Sequence, residues 1–132
     1  MHNRALCGVV IEGAKRGKQL GFPTANLEIS PHDLPDSGIY AAWARLAGEK
    51  RWRRAAASVG VNPTFDGSLK KLEVHLLDFS ADLYGRSLEV QLVRFLRPER
   101  RFETREALIR QIAEDCRQAR KILANISPLE EP

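Results

Sequence analysis

The hydrophobic period of this chain changes once, and that change limits what it can fold into. Up to about residue 97 the apolar residues come in short, β-branched or alternating runs. Leu6–Ile11 reads as a buried strand. Ile39–Leu46 and Arg54–Val61 read as a strand pair joined by a polar, basic connection. Leu72–Phe79 alternates, with Leu72, Val74 and Leu76 on one face and Glu73, His75 and Leu77 on the other, and Leu88–Leu96 begins the same way. Pro23 biases Phe22 toward extended geometry, so Phe22–Leu27 is not helical. The segments 30–38, 62–68 and 82–85 are rich in Pro, Asp, Asn, Ser and Gly and read as links or turns. From Thr104 onward Leu108, Ile109, Ile112, Ala113, Cys116, Ala119 and Leu123 recur at three and four, an amphipathic helix of about five turns. Thr104 is its expected N-cap, Glu106 suits the first turn, and Asn125 and Pro128 form the stop. About six strands and one terminal helix predict a mainly β fold, a small antiparallel barrel with the helix packed on it or plugging an end. Strands do not alternate with helices, which argues against a doubly wound sheet.

The 132 residues predict one domain, with the barrel over about 6–97 and the helix over about 104–125. The apolar runs are too short to cross a bilayer, and the N-terminus carries no apolar signal-peptide core, so the expected location is cytoplasmic and no membrane partner is expected. Cys7 and Cys116 each lie in an apolar run and are expected as two buried thiols. His2, His32 and His75 match no metal-ligand spacing. The net charge of +4 and pI near 9.4 suit either nucleic acid or a small substrate carrying several negative charges. The basic clusters at 49–54 and 97–101 read as solvated surface.

The stretch GAKRGKQLGFPTANL carries the strongest chemical signal. Gly13, Gly17 and Gly21 surround Lys15, Arg16 and Lys18, and Thr24 and Asn26 follow at once. Glycines let backbone amides approach an anion, and basic side chains neutralise phosphate. Neutral oxygens at i and i+2 of an extended segment point the same way and can hold one hard cation. Together these are the parts of a clamp for a magnesium-bound polyphosphate; the competing reading is an ordinary glycine turn followed by two β-edge residues. Neither GxxxxGK[ST] nor GxGxxG occurs, which excludes the usual nucleotide-binding loops.

Phosphoryl transfer to an alcohol also needs a group to orient the hydroxyl and take its proton. Glu73, inside an alternating strand, is the first candidate and His75 on the same face the second; the competing reading is a solvated strand face. Asp78 and Asp82 read as turn formers. Arg97 and Phe102 bridge the last strand and the helix, either as a helix-entry turn with a core anchor or as the lining of a pocket for a flat ring. Trp43 and Trp52 read as packing residues.

These blocks, in order, resemble the riboflavin kinase family, usually met as the C-terminal module of bacterial bifunctional riboflavin kinase/FAD synthetase. The landmarks are KRGKQLGFPTANL, SGIYAAW, SVGVNPTF, LEVHLLDF, DLYG, FLRPERRF and the helix LIRQIAEDCRQAR, from about Gly8 to about Arg120. The resemblance implies a six-stranded antiparallel Greek-key barrel with a C-terminal helix. It implies phosphorylation of the riboflavin 5′-hydroxyl by ATP with Mg2+, giving FMN. It further implies Thr24 and Asn26 at metal and phosphates, Glu73 as base, Gly13–Gly21 over the phosphates, and Arg97, with Phe102, beside the flavin. Lys18 and Asn62 stand where many relatives have arginine. No HxGH-type adenylyltransferase signature is present, so FAD synthesis is not expected of this chain, and an adenylyltransferase domain or a separate FAD synthetase is the expected downstream partner. Two readings compete with the kinase: a flavin-binding regulatory module without catalysis, and a basic barrel gripping single-stranded nucleic acid. The 7% aromatic content without basic–aromatic alternation does not favour the latter, and no nucleic-acid partner is expected.

Overall fold

The computed structural model describes residues 5–11, 21–29, 34–64, 67–79 and 81–129. Among the described residues six strands close into an antiparallel barrel: β1 (Leu6–Ile11), β2 (Ala25–Glu28), β3 (Gly38–Leu46), β4 (Arg53–Thr64), β5 (Gly67–Leu76) and β6 (Ser87–Arg97), followed by a C-terminal helix, α1 (Arg105–Leu123). Around the ring the order is β1-β2-β5-β4-β3-β6. The meander β3-β4-β5 with β6 returning beside β3 is a Greek key.

Alternation sorts the side chains. Leu72, Val74 and Leu76 point inward and are buried, as are Leu46, Leu88, Val90 and Val59. Each such burial contributes roughly 1.5–3 kcal/mol. Alanines 42, 44, 55 and 57 fill the narrow parts of the same interior, where six strands leave little room. A second apolar cluster lies outside the wall, where α1 packs on β3, β4 and β6. There Ala41 and Ala56 let the helix approach, and Cys116, Ala119 and Leu123 meet Leu77. Two register shifts between β3 and β6, at Ile39/Tyr40 and Ala41/Ala42, leave Leu96 and Val93 as extra residues on β6. Both turn onto the helix cluster, so the bulges supply its seat.

Thr104 caps α1, its hydroxyl accepting from the Ala107 amide at 3.0 Å. Such a cap contributes about 1 kcal/mol. Beyond α1 the chain is strapped back across β3 and β6. The Trp43 indole donates to the Ile126 carbonyl at 2.9 Å, and buried Gln91 exchanges two bonds with the Leu129 backbone, at 2.9 and 2.8 Å. Trp52 stacks under Arg45, its ring centroid 4.3 Å from the guanidinium carbon. β3 starts at Gly38 (φ +152°) because Phe95 lies directly over it; a Cβ there would collide with the Phe95 ring and come within 2.9 Å of the Arg97 carbonyl.

Two sequence expectations need correction. The link expected at 62–68 is mostly ladder: Asn62, Pro63 and Thr64 pair with Leu69, Ser68 and Gly67. Breaker residues therefore form the end of a long hairpin rather than an open loop. Cys7 is exposed, because α1 leaves the outer side of β1 uncovered and Cys7, Val9 and Ile11 all point out. Cys116 is buried, and burial pushes its thiol up to about 11. The native protein is thus expected to show one fast-reacting thiol, Cys7, with Cys116 labelled only on unfolding, as a time-resolved thiol titration would report. Among the described residues no helix is long and apolar enough to cross a membrane.

Asp78, in the turn after β5, adopts φ 60° and accepts from Arg120 of α1 at 2.9 Å, with Arg54 at 3.9 Å. The Arg120 hydrogen bond holds its carboxyl below the ordinary carboxylate range. A carboxyl depressed in the folded state stabilises above its unfolded pKa and loses that contribution as pH falls through the lower folded value. Asp78→Asn, which tolerates the same backbone, should therefore melt below the wild type at neutral pH. The difference should shrink below about pH 4, as melting curves across pH would show.

Candidate active site

Pro23 has no amide hydrogen, so the ladder of β2 starts after it, and β2 pairs with β5 through Ala25↔Val74, Asn26↔Glu73 and Leu27↔Leu72. Ala25 and Leu27 belong to the barrel interior. Asn26 therefore stands on the outer side, directly opposite Glu73, and Ser58 of β4 is the cross-strand neighbour of Glu73 on its other side. Directly opposed residues bring their Cβ atoms to about 4.5–5.5 Å. Three oxygen-bearing side chains thus form one row across three strands.

Asn26 is only 9% exposed, and its Oδ1 is buried with no hydrogen-bond partner among the described residues. A buried carbonyl left so costs about 1–3 kcal/mol. A ligand that takes oxygen donors would remove that cost, and Mg2+ is such a ligand. The neutral amide oxygen and the hydroxyl of the exposed Thr24 two residues earlier are donors of the type that ion accepts. The residues present fit a hard divalent cation.

Glu73 is half-buried, and its Oε1 lies 3.2 Å from Lys71 Nζ, the next residue along the same face of β5. His75 follows on that face. Its Nδ1 is 2.7 Å from the Pro23 carbonyl, and its ring meets Phe22 edge-on, centroids 5.7 Å apart at 78°. One nitrogen of the second base candidate is therefore already engaged. Gly21 turns the chain into this segment with φ +89°. Gly13, Lys15, Arg16, Gly17 and Lys18 lie outside the described residues.

Arg97 and Phe102 stand at the corner between β6 and α1. The Arg97 guanidinium grips Asp115 of α1 with two parallel bonds, Nε to Oδ1 at 2.8 Å and Nη2 to Oδ2 at 2.7 Å, and Nη1 donates to the Pro98 carbonyl at 3.0 Å. Gln111 also donates to Asp115, at 3.0 Å. Phe102 lies below Arg100 and Arg97, its centroid 4.8 and 5.7 Å from their guanidinium carbons. Of the two readings of Arg97, the structure supports the corner anchor directly. Sequence reasoning missed Asp115, although a carboxylate next to the apolar positions Ile112, Cys116 and Ala119 was a usable signal. It also missed Ser58, whose position depends on a strand register that no local pattern carries.

Comparison with known proteins extends over nearly the whole chain. The riboflavin kinase (flavokinase) family model matches residues 1–123. The bifunctional riboflavin kinase/FMN adenylyltransferase of Escherichia coli K12 is 39% identical over 127 residues, which cover 96% of this chain and 40% of that protein. An RNA-binding riboflavin kinase of Bacillus subtilis is 37% identical over 111 residues, 83% of this chain and 47% of that protein. Among solved structures, a Streptococcus pneumoniae protein described as a macrolide-efflux protein superposes with a TM-score of 0.80 at 32% identity, over 93% of this chain and 39% of that one. The riboflavin kinase of Trypanosoma brucei shares the barrel fold, with a TM-score of 0.68 at 24% identity over 92% of this chain and 77% of that one. The chain spans about 40% of the length of its bifunctional relatives. The closed six-stranded barrel and a family match running from the first residue to the end of α1 agree: this chain belongs to the riboflavin kinase family.

Proposed function

We propose that this chain transfers the terminal phosphoryl group of ATP to the 5′-hydroxyl of riboflavin, giving FMN and ADP, with Mg2+ as the accompanying cation. The observation that carries this reading is the buried Asn26 oxygen, without a hydrogen-bond partner among the described residues, one strand away from the Glu73 carboxylate. It joins a place for a hard cation to a place for a hydroxyl proton. Glu73 accepts a hydrogen bond from the ribityl hydroxyl and orients its oxygen toward the γ-phosphorus. As the new O–P bond forms and the bond to the ADP oxygen breaks, the hydroxyl proton passes to the Glu73 carboxylate and then to solvent. Most of the acceleration comes from alignment and charge neutralisation.

Asn26 and Thr24 would hold the cation, whose chemistry is to neutralise charge on the terminal phosphates. Gly13, Lys15, Arg16, Gly17, Lys18 and Gly21 would grip the phosphates. Arg97 and Phe102 would border the flavin, Arg97 by fixing the corner on which Phe102 stands. FMN is the substrate of the adenylyltransferase activity that the bifunctional relatives carry in their names, and a neighbouring domain or separate enzyme of that kind would receive it.

The test is a product assay with the purified chain, riboflavin, ATP and Mg2+, the flavins being separated by chromatography. FMN that forms only when ATP and Mg2+ are both present supports the reading. Riboflavin recovered unchanged overturns it, with retained riboflavin binding pointing to a regulatory module.

A further inference from the structure

The ladder between β2 and β5 stops at Ala25 and Val74, just short of Thr24. Thr24 must nevertheless be held in place if its hydroxyl is to act together with Asn26. Pro23 cannot extend the ladder as a donor, but its carbonyl can accept, and the group that reaches it is His75 Nδ1 at 2.7 Å, two residues beyond Glu73 on β5. A carbonyl only accepts, so Nδ1 carries the proton and donates. The same ring packs edge-on against Phe22. One imidazole therefore holds two consecutive residues of the segment entering β2, and it does so from the strand that carries Glu73.

We infer that His75 is a positioning residue: its Nδ1–H fixes the 22–24 segment against β5 and so sets where the Thr24 and Asn26 oxygens stand relative to the Glu73 carboxylate. The functional weight of this rests on the kinase reading of the same site. The link also explains how two candidate bases on one strand face divide their work. Glu73 has its carboxylate beside the row, while His75 has its Nδ1 committed to backbone 52 residues away in sequence. A histidine chosen only for packing would need the ring but not the donor at Nδ1.

That distinction sets the experiment. An asparagine amide places a donor near the position of Nδ1, whereas glutamine places one near Nε2. ADP binding is titrated calorimetrically at several Mg2+ concentrations, without flavin and without turnover, for the wild type and for His75→Asn, His75→Gln and His75→Ala. The Gln and Ala variants should need roughly tenfold more Mg2+ for half-saturation, the equivalent of one lost hydrogen bond, and Asn should stay within about threefold of wild type. Asn behaving like Ala, or Ala like wild type, overturns the inference. Should Gln and Ala fail to fold, long-range proton–nitrogen spectra of the wild-type ring, assigned through His75→Asn, decide the matter. A neutral ring protonated at Nδ1 supports the link, and one protonated at Nε2 overturns it. Absence of FMN formation by the wild type, with the titrations and spectra as expected, overturns the kinase reading and leaves the positioning role standing. FMN formation with all variants alike does the reverse.

Discussion

Glutamine in place of Glu73 is expected to lower the rate of FMN formation by about 10²–10⁴-fold, the range over which a positioned proton acceptor contributes. The amide keeps the shape of the side chain and a hydrogen bond to the hydroxyl but cannot take its proton. Nucleotide affinity should change little, because the Asn26 and Thr24 oxygens are untouched. Stability should also change little. The Lys71 ammonium that loses its partner is 36% exposed and can be solvated, and exposed pairs contribute only about 0–1 kcal/mol. Initial rates at saturating substrates, ADP titration and a melting curve check the three parts. A near-wild-type rate, or equal losses in rate and affinity, would assign the proton acceptor elsewhere.

The second large effect concerns the joint between barrel and helix. Asp115→Ala should destabilise the protein by about 3–5 kcal/mol, the usual consequence of breaking a buried ion pair from one side. The Arg97 side chain is 17% exposed and would keep a charge with two of its donors unmatched. For a chain of this size the melting temperature should fall by roughly 10–20 °C. Replacing both partners, Arg97→Met with Asp115→Leu, should restore most of the loss, since an apolar pair avoids the desolvation cost. Riboflavin binding by the double variant then separates two roles of Arg97. Stability regained with flavin affinity lost assigns the guanidinium to the ligand as well as to the corner, and both regained assigns it to the corner alone.

Much of this was legible in the sequence, and the parts that were not share a cause. The helix declared itself through the 3.6 period and the Thr104 cap, and the inward set Leu72, Val74 and Leu76 through alternation, because both signals are local. The hairpin end at 62–68 was misread because Asn, Pro and Gly weigh toward a loop, while the deciding factor is a partner strand able to accommodate Pro63 opposite Ser68. Cys7 was misread because an apolar run does not say which of its two faces a helix will cover. At the site, residue types pointed to Asn26 and Glu73. That the two are direct cross-strand neighbours, and that the Asn26 oxygen is enclosed without a partner among the described residues, follows from register and burial. The His75–Pro23 and Arg97–Asp115 links join residues 52 and 18 positions apart across different elements, so no window of sequence contains their geometry.

The ring of strands is not equally strong all the way round. β4 and β5 are laced together from Ala55↔Leu76 to Thr64↔Gly67, whereas β2 is four residues long and its described pairings, to β1 on one side and β5 on the other, span only Ala25–Glu28. The thinnest stave of the wall is thus the one that carries Asn26. Opening of the closed sheet should begin there, and a bound nucleotide would act as a rivet across it, joining the wall of the barrel at its weakest seam. Amide hydrogens of Ala25–Leu27 should accordingly exchange with solvent sooner than those of the β4–β5 seam in the free protein, and slow the most when ADP and Mg2+ are added. Substrate affinity and the local cohesion of the barrel would then be one quantity, seen from two sides.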